Sequence, residues 1–140
     1  MLAFVDLQTK EFPVSSVQAL VEAAKRQIRE IDPAELQQLQ QTGVPIIDVR
    51  EPAEYAAGHF PGAVNIPRGV LEFEVDGHPA VNCQRDPALG HRGQPVVVAC
   101  RSGGRSALAA AALKQLGFVE PLSLRGGFQG WIQAGLPVEK

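Results

Sequence analysis

Cysteine is scarce in this chain: only Cys83 and Cys100 occur among 140 residues, seventeen positions apart. That pair supports no disulfide framework, and it lacks the paired CxxC spacing of a standard zinc site. Free thiols suit a reducing compartment, so a cytoplasmic location is expected. Long apolar runs are missing too. No stretch of about eighteen apolar residues occurs, and Met1-Leu2-Ala3-Phe4-Val5-Asp6 has neither a basic leader nor an apolar run of signal length. Neither export nor membrane insertion is expected. Thirteen Lys and Arg stand against fifteen Asp and Glu, a formal charge of -2, so there is no bulk attraction to nucleic acid or anionic membranes. Any anion binding must be local.

What the chain does have is a 45% hydrophobic composition, enough for one packed core but not two. Ser15 or Ser16 can cap a helix in which Val17, Leu20, Val21, Ala24 and Ile28 recur at helical spacing. Asp32-Pro33-Ala34-Glu35 has the acceptor, proline and glutamate of a capping box, and Gly43 ends the helix it opens. Val44 to Val49 reads as a buried strand delivering Asp48 and Arg50 at its carboxyl end, and Ala63 to Ile66 as a weaker one. Pro95 to Ala99 is a β-branched run without alternation, as in a parallel strand covered on both faces. A helix over Ser106 to Leu116, a strand over Val119 to Leu124 and a short helix carrying Phe128, Trp131 and Ile132 complete the pattern. Alternating strands and helices predict an α/β fold, a mostly parallel central sheet with helices on both faces. Ligand sites in such folds gather beyond the carboxyl ends of strands, where Asp48 and Cys100 both fall.

The decisive segment is Val96-Val97-Val98-Ala99-Cys100-Arg101-Ser102-Gly103-Gly104-Arg105-Ser106: strand, glycine-containing loop, helix. Such a loop can turn its backbone N–H groups inward, and the following helix adds positive potential. The field favours thiolate over thiol at Cys100, which is thereby expected to be a nucleophile. Arg101 and Arg105 supply fixed positive charge for an anionic donor. The plain alternative is a buried cysteine with no chemistry. Two glycines and two arginines within five residues of it are hard to explain by packing.

These residues resemble the rhodanese family of sulfurtransferases over about Ile31 to Val138. The resemblance runs through Ile47-Asp48-Val49-Arg50-Glu51-Pro52-Ala53-Glu54-Tyr55, Gly58-His59-Phe60-Pro61-Gly62-Ala63, Asn65-Ile66-Pro67, the Cys100 loop, and Leu124-Arg125-Gly126-Gly127-Phe128 with Trp131. It implies the rhodanese-like three-layer fold in its single-domain form, with residues 31–140 as the domain and residues 1–30 as a helical extension. It implies that Cys100 cycles between thiolate and persulfide and that the backbone from Arg101 through Ser102, Gly103, Gly104 and Arg105 to Ser106 cradles the transferred sulfur. Arg101 and Arg105 then meet the anionic substrate, Asp48 and Arg50 support the site, and no cofactor is required.

Two other functions compete with sulfur transfer. Cysteine phosphatases and arsenate reductases on this scaffold place an arginine six positions after the cysteine, whereas Arg105 comes five after Cys100 and the sixth residue is Ser106. The shorter loop suits a single sulfur atom. A non-catalytic binding module is the second, and a sulfur relay to a protein partner lies between it and the enzyme. The expected partners are a small anionic sulfur donor, thiosulfate or a persulfide, and a thiol or cyanide acceptor, with the protein a monomer or homodimer.

Other residues are read more plainly. His59 is expected to be a hydrogen-bonded structural residue, Phe128 and Trp131 core, and the first helix a packed extension, with a partner surface as its alternative. Residues 69–93, broken by Gly77, Pro79, Pro87, Gly90 and Gly93, read as an irregular excursion bordering the mouth of the Cys100 site. If Cys83 lies near that mouth, it is expected to resolve the persulfide or to form a regulatory disulfide with Cys100. His78, Cys83 and His91 match no zinc spacing, so no metal is expected.

Overall fold

The computed structural model describes residues 15–140; the Met1–Asp6 reading and residues 1–14 of the expected extension lie outside them. The elements are α1 (Val17–Lys25), β1 (Arg29–Ile31), α2 (Pro33–Gln40), β2 (Ile46–Asp48), α3 (Pro52–Ala56), β3 (Val64–Asn65), α4 (Leu71–Asp76), β4 (Pro95–Ala99), α5 (Gly104–Gln115), β5 (Glu120–Leu124) and α6 (Gly127–Gln133). The strands form one sheet in the order β1-β5-β4-β2-β3, and every pairing is parallel. Among the described residues, no helix is long and apolar enough to cross a membrane.

Local chemistry sets the helix starts. Ser16 caps α1 by accepting from the Ala19 N–H at 3.0 Å. Asp32 Oδ1 accepts from the Glu35 N–H at 2.8 Å while Glu35 Oε1 accepts from the Asp32 N–H at 3.1 Å, the reciprocal capping box.

β4 lies inside the sheet, between β2 and β5, and Val96 through Ala99 are all buried. The twofold period of the strand splits its side chains between two cores. Val96, Val98 and Cys100 pack with α4 and α5, through Leu71, Val75, Ala109, Ala110 and Leu113. Val97 and Ala99 face Leu36 of α2 and Phe128 and Trp131 of α6. Helix α5 is alanine-rich because it is covered twice, by the sheet and by α1, where Ala24 meets Ala107 and Ala111. The expected three layers therefore carry a fourth over α5.

Three expectations need correction. The first helix stops at Lys25, and Arg29–Ile31 forms the edge strand β1, paired residue for residue with Leu122–Leu124 of β5. Residues 69–93 are not wholly irregular: Leu71 and Val75, four apart and both 0% exposed, hold α4 to the core, and Gly77 at φ +60° closes it. Nor does that segment lie mainly at the mouth of the Cys100 site. It follows β3 and starts beside the carboxyl end of β2, where the Arg68 N–H donates to the Val49 carbonyl. It then packs Leu71, Val75 and Leu89 into the α5-side core. Its last turn, with Ala88 and His91, lines a cavity with Val44, Pro45 and Pro95 at the amino ends of β2 and β4.

Trp131 is fully buried, stacks edge-on against Phe60 at 5.3 Å and donates its indole N–H to the Pro137 carbonyl at 2.6 Å. Truncation to alanine removes the largest side chain of that core, so Trp131→Ala should lower the unfolding free energy by about 3–5 kcal/mol in urea titration.

Candidate active site

Residues between β2 and β3 lead one way along the sheet and those between β4 and β5 lead the other, so the two loops part at the junction of β2 and β4. That is a topological switch point, where α/β sheets open a crevice. The loop after β4 begins at Cys100, 1% exposed, on the α5 side. Its Sγ accepts from the Gly103 N–H at 3.1 Å and from the Ser106 N–H at 3.4 Å. The Ser106 hydroxyl lies 3.6 Å from the same sulfur and 2.8 Å from the hydroxyl of Ser123. Gly103, at φ +111°, lets the chain reverse so that these amides point inward. The N-terminus of α5 adds its dipole. Positive potential thus converges on Sγ from uncharged backbone.

A second contact locks the curl from outside. The Phe128 N–H donates to the Cys100 carbonyl at 2.8 Å and the Gln129 N–H to the Arg101 carbonyl at 3.0 Å. Helix α6 can approach so closely only through glycine. A Cβ on Gly127 would lie 2.5 Å from the Arg101 carbonyl carbon and oxygen and 2.6 Å from the Cys100 oxygen, and its φ is +58°.

Asp48 and Arg50 form a buried pair at the end of β2. Arg50 Nε is 3.0 Å from both carboxylate oxygens, Nη2 is 2.7 Å from Oδ2, and Nη2 also donates to the Gly58 carbonyl at 2.7 Å. The guanidinium lies over the Phe128 ring at 4.4 Å. The pair belongs to the α6 side of the sheet and braces the residue whose amide holds the Cys100 carbonyl.

The two loop arginines differ. Arg105 is bidentate with Glu54 of α3, at 2.8 and 3.1 Å. The Arg105 hydrogen bonds chiefly hold the Glu54 carboxyl down, from its ordinary 4.5 to about 2. Glu54 in return raises the Arg105 pKa. Arg101 and Ser102 are exposed, and among the described residues the Arg101 side chain makes no hydrogen bond or ion pair. His59 stacks on Tyr55 at 3.8 Å and its Nδ1 lies 3.0 Å from the Tyr55 carbonyl, a structural placement remote in role from the thiol. Cys83 is an exposed free thiol and Cys100 a buried one. Among the described residues no group of three or more potential ligands could hold a metal ion.

Of the residues the sequence points to, Cys100, Arg101, Ser102 and Gly103 form the loop after β4, and Gly104, Arg105 and Ser106 are the first turn of α5. The sequence does not single out Glu54, Gly127 or Ser123. Glu54 carried a faint signal, since it reaches back to the Glu51 N–H at 3.0 Å across a helix start. Ser123 is a lone hydroxyl inside an apolar strand.

Fold and site together define an α/β protein whose buried cysteine sits in a cradle of backbone amides at the switch point of a parallel sheet. The rhodanese-like domain family matches residues 32–134, and the chain belongs to that family. It is 36% identical over 113 residues to a sulfurtransferase of Allochromatium vinosum, a match covering 79% of this chain and 94% of the relative. It is also 36% identical over 101 residues to the thiosulfate sulfurtransferase GlpE of Pseudomonas paraeruginosa, covering 72% and 81%. Among solved structures, a Rhodopseudomonas palustris protein of unknown function, described as a possible tyrosine phosphatase, superposes with a TM-score of 0.79 at 30% identity over 94% of this chain and 99% of that one.

Two measurements check this geometry. Gly126 and Gly127 both have positive φ, 79° and 58°, but a Cβ on Gly126 meets nothing nearer than 3.8 Å. Both alanine variants carry the backbone cost of about 1–2 kcal/mol; Gly127→Ala alone must also push α6 off the loop, and its urea midpoint should fall clearly below that of Gly126→Ala. For Glu54, a folded value near 2 against 4.5 means the ion pair's stabilisation is complete above about 4.5 and is lost as pH falls toward about 2. Glu54→Gln should therefore flatten the loss of unfolding free energy across that interval.

Proposed function

We propose that this protein transfers sulfane sulfur through a persulfide on Cys100. The observation that carries the reading is the pair of backbone amides converging on a buried Sγ at the end of β4, in a chain whose relatives include sulfurtransferases. In the first step the Cys100 thiolate attacks the outer sulfur of the donor; the donor's S–S bond breaks, and the residual anion leaves with the electron pair. With thiosulfate that anion is sulfite. The product is a persulfide whose outer sulfur is negative and sits among the N–H groups of residues 101–106. In the second step a thiol or cyanide attacks that sulfur, and the Cys100 thiolate is regenerated. Electrons and charge balance with no oxidant and no cofactor.

Thiosulfate is the donor the site fits best. Its sulfonate is fully anionic, and Arg101 is the loop charge with no partner among the described residues, so it is assigned to meet the donor. Arg105 lends charge from behind while its fork is held by Glu54. The same contact weighs against a phosphatase, because that chemistry needs a guanidinium closed over a tetrahedral oxyanion. A reducing, cytoplasmic setting accords with two free thiols, and helix α1 serves as an outer layer packed on α5.

The test is thiosulfate-to-cyanide transfer read as thiocyanate, for the wild type, Cys100→Ser and Cys83→Ser, with a phosphotyrosine analogue assayed alongside. Turnover lost only in Cys100→Ser is expected. Turnover that survives Cys100→Ser, or hydrolysis of the analogue without sulfur transfer, overturns the reading.

A further inference from the structure

Ser123 lies on β5 between Leu122 and Leu124, which face the α6-side core. The strand period turns Ser123 toward α5, opposite Val98 of β4. It is 0% exposed, as is Ser106. A hydroxyl in such a place must find a partner. Among the described residues, the only hydrogen-bond partner of the Ser123 side chain is Ser106 Oγ at 2.8 Å. Ser106 Oγ in turn lies 3.6 Å from Cys100 Sγ. The three groups form a closed line, Ser123 to Ser106 to Cys100, running from the sheet to the reacting atom.

The direction of that line depends on the charge of the sulfur. A thiol donates, so S–H points to Ser106 and Ser106 donates to Ser123. A thiolate only accepts. Ser106 must then swing its proton to Sγ, and it does so without loss only if another group donates to the oxygen it has turned away. Ser123 is that group. An isolated buried serine pair would gain little over two apolar residues of the same shape, whereas a pair ending on an ionising sulfur gains from the charge at its end.

We propose that Ser123 is a positioning residue of the Cys100 site: its hydroxyl donates to Ser106 and thereby aims the Ser106 hydroxyl at the sulfur whenever that sulfur is anionic. The role deepens the sulfur-transfer reading, since the thiolate is both the attacking and the leaving group of the two steps. It stands on the geometry of the resting site and holds for any reaction begun by the thiolate.

The test uses alkylation of Cys100 by iodoacetamide, which needs no sulfur donor, in a Cys83→Ser background so that one thiol is read. Rates are followed against pH for the parent, Ser106→Ala, Ser123→Ala, the double variant and Ser123→Thr, each first shown to be folded by urea titration. A hydrogen bond to a charged group is worth about a factor of ten or more in such an equilibrium. Ser106→Ala should therefore react about tenfold more slowly near neutral pH, and Ser123→Ala severalfold more slowly, with all rates converging at high pH where the thiolate is complete. The double variant should match Ser106→Ala, and Ser123→Thr, which keeps the hydroxyl, should approach the parent. A Ser123→Ala profile that coincides with the parent overturns the proposal, as does a Ser123→Ala effect that persists in full when Ser106 is already alanine. If the alkylation pattern appears but thiosulfate is not turned over, the Ser123 role stands and the sulfur-transfer reading falls.

Discussion

Two hydrogen bonds from the first turn of α6, onto the carbonyls of Cys100 and Arg101, are the contact on which the rest of the site depends. With those carbonyls held outward, the amides of the same loop turn inward, and Gly103 and Ser106 donate to Cys100 Sγ. The backbone is thus polarised about a single atom by neutral N–H groups. This arrangement needs no Cβ at residue 127 and a left-handed backbone at residues 103 and 127, which is why glycines fall at those points. It also needs α6 fixed in the other core layer, which Trp131 and Phe60 provide.

Charge is organised around this neutral cradle in three ways. Asp48 and Arg50 are buried against each other and brace Phe128 from beneath; removing either partner would leave an unpaired buried charge, so the pair is structural in its energetics. Glu54 and Arg105 are paired nearer the surface, which moderates the positive field beside the thiol. Arg101 is exposed at the rim. Arg101 thus stands at the solvent edge of the loop, and the two amides lie at its buried end.

The sequence is most legible where local chemistry decides the structure. Val96–Ala99 could hardly be anything but a strand covered on both faces, and the cysteine, glycine and arginine pattern after it marks the candidate site. Asp32 and Glu35 announce their helix by capping. Legibility ends where structure depends on distant partners. Arg29–Ile31 is a strand only because β5 is there to pair with it. Leu71 and Val75 were hidden among the helix breakers around them, although their spacing of four was visible. Glu54 meets Arg105 across 51 positions, and Ser123 meets Ser106 across 17; neither contact leaves a periodic or capping pattern in the chain. The role of Gly127 is likewise set by the approach of another segment, which no local pattern reports.

The central claim is that the sulfur in transit is bonded to Cys100 and nowhere else. Mapping by tandem mass spectrometry after treatment with thiosulfate tests it most directly, with and without a later exposure to cyanide. The account predicts a gain of one sulfur atom on the peptide bearing Cys100, removed by cyanide, with the Cys83 peptide unchanged. A gain confined to Cys83, or a folded protein that acquires no sulfur on Cys100 from thiosulfate or from an organic persulfide, would contradict it.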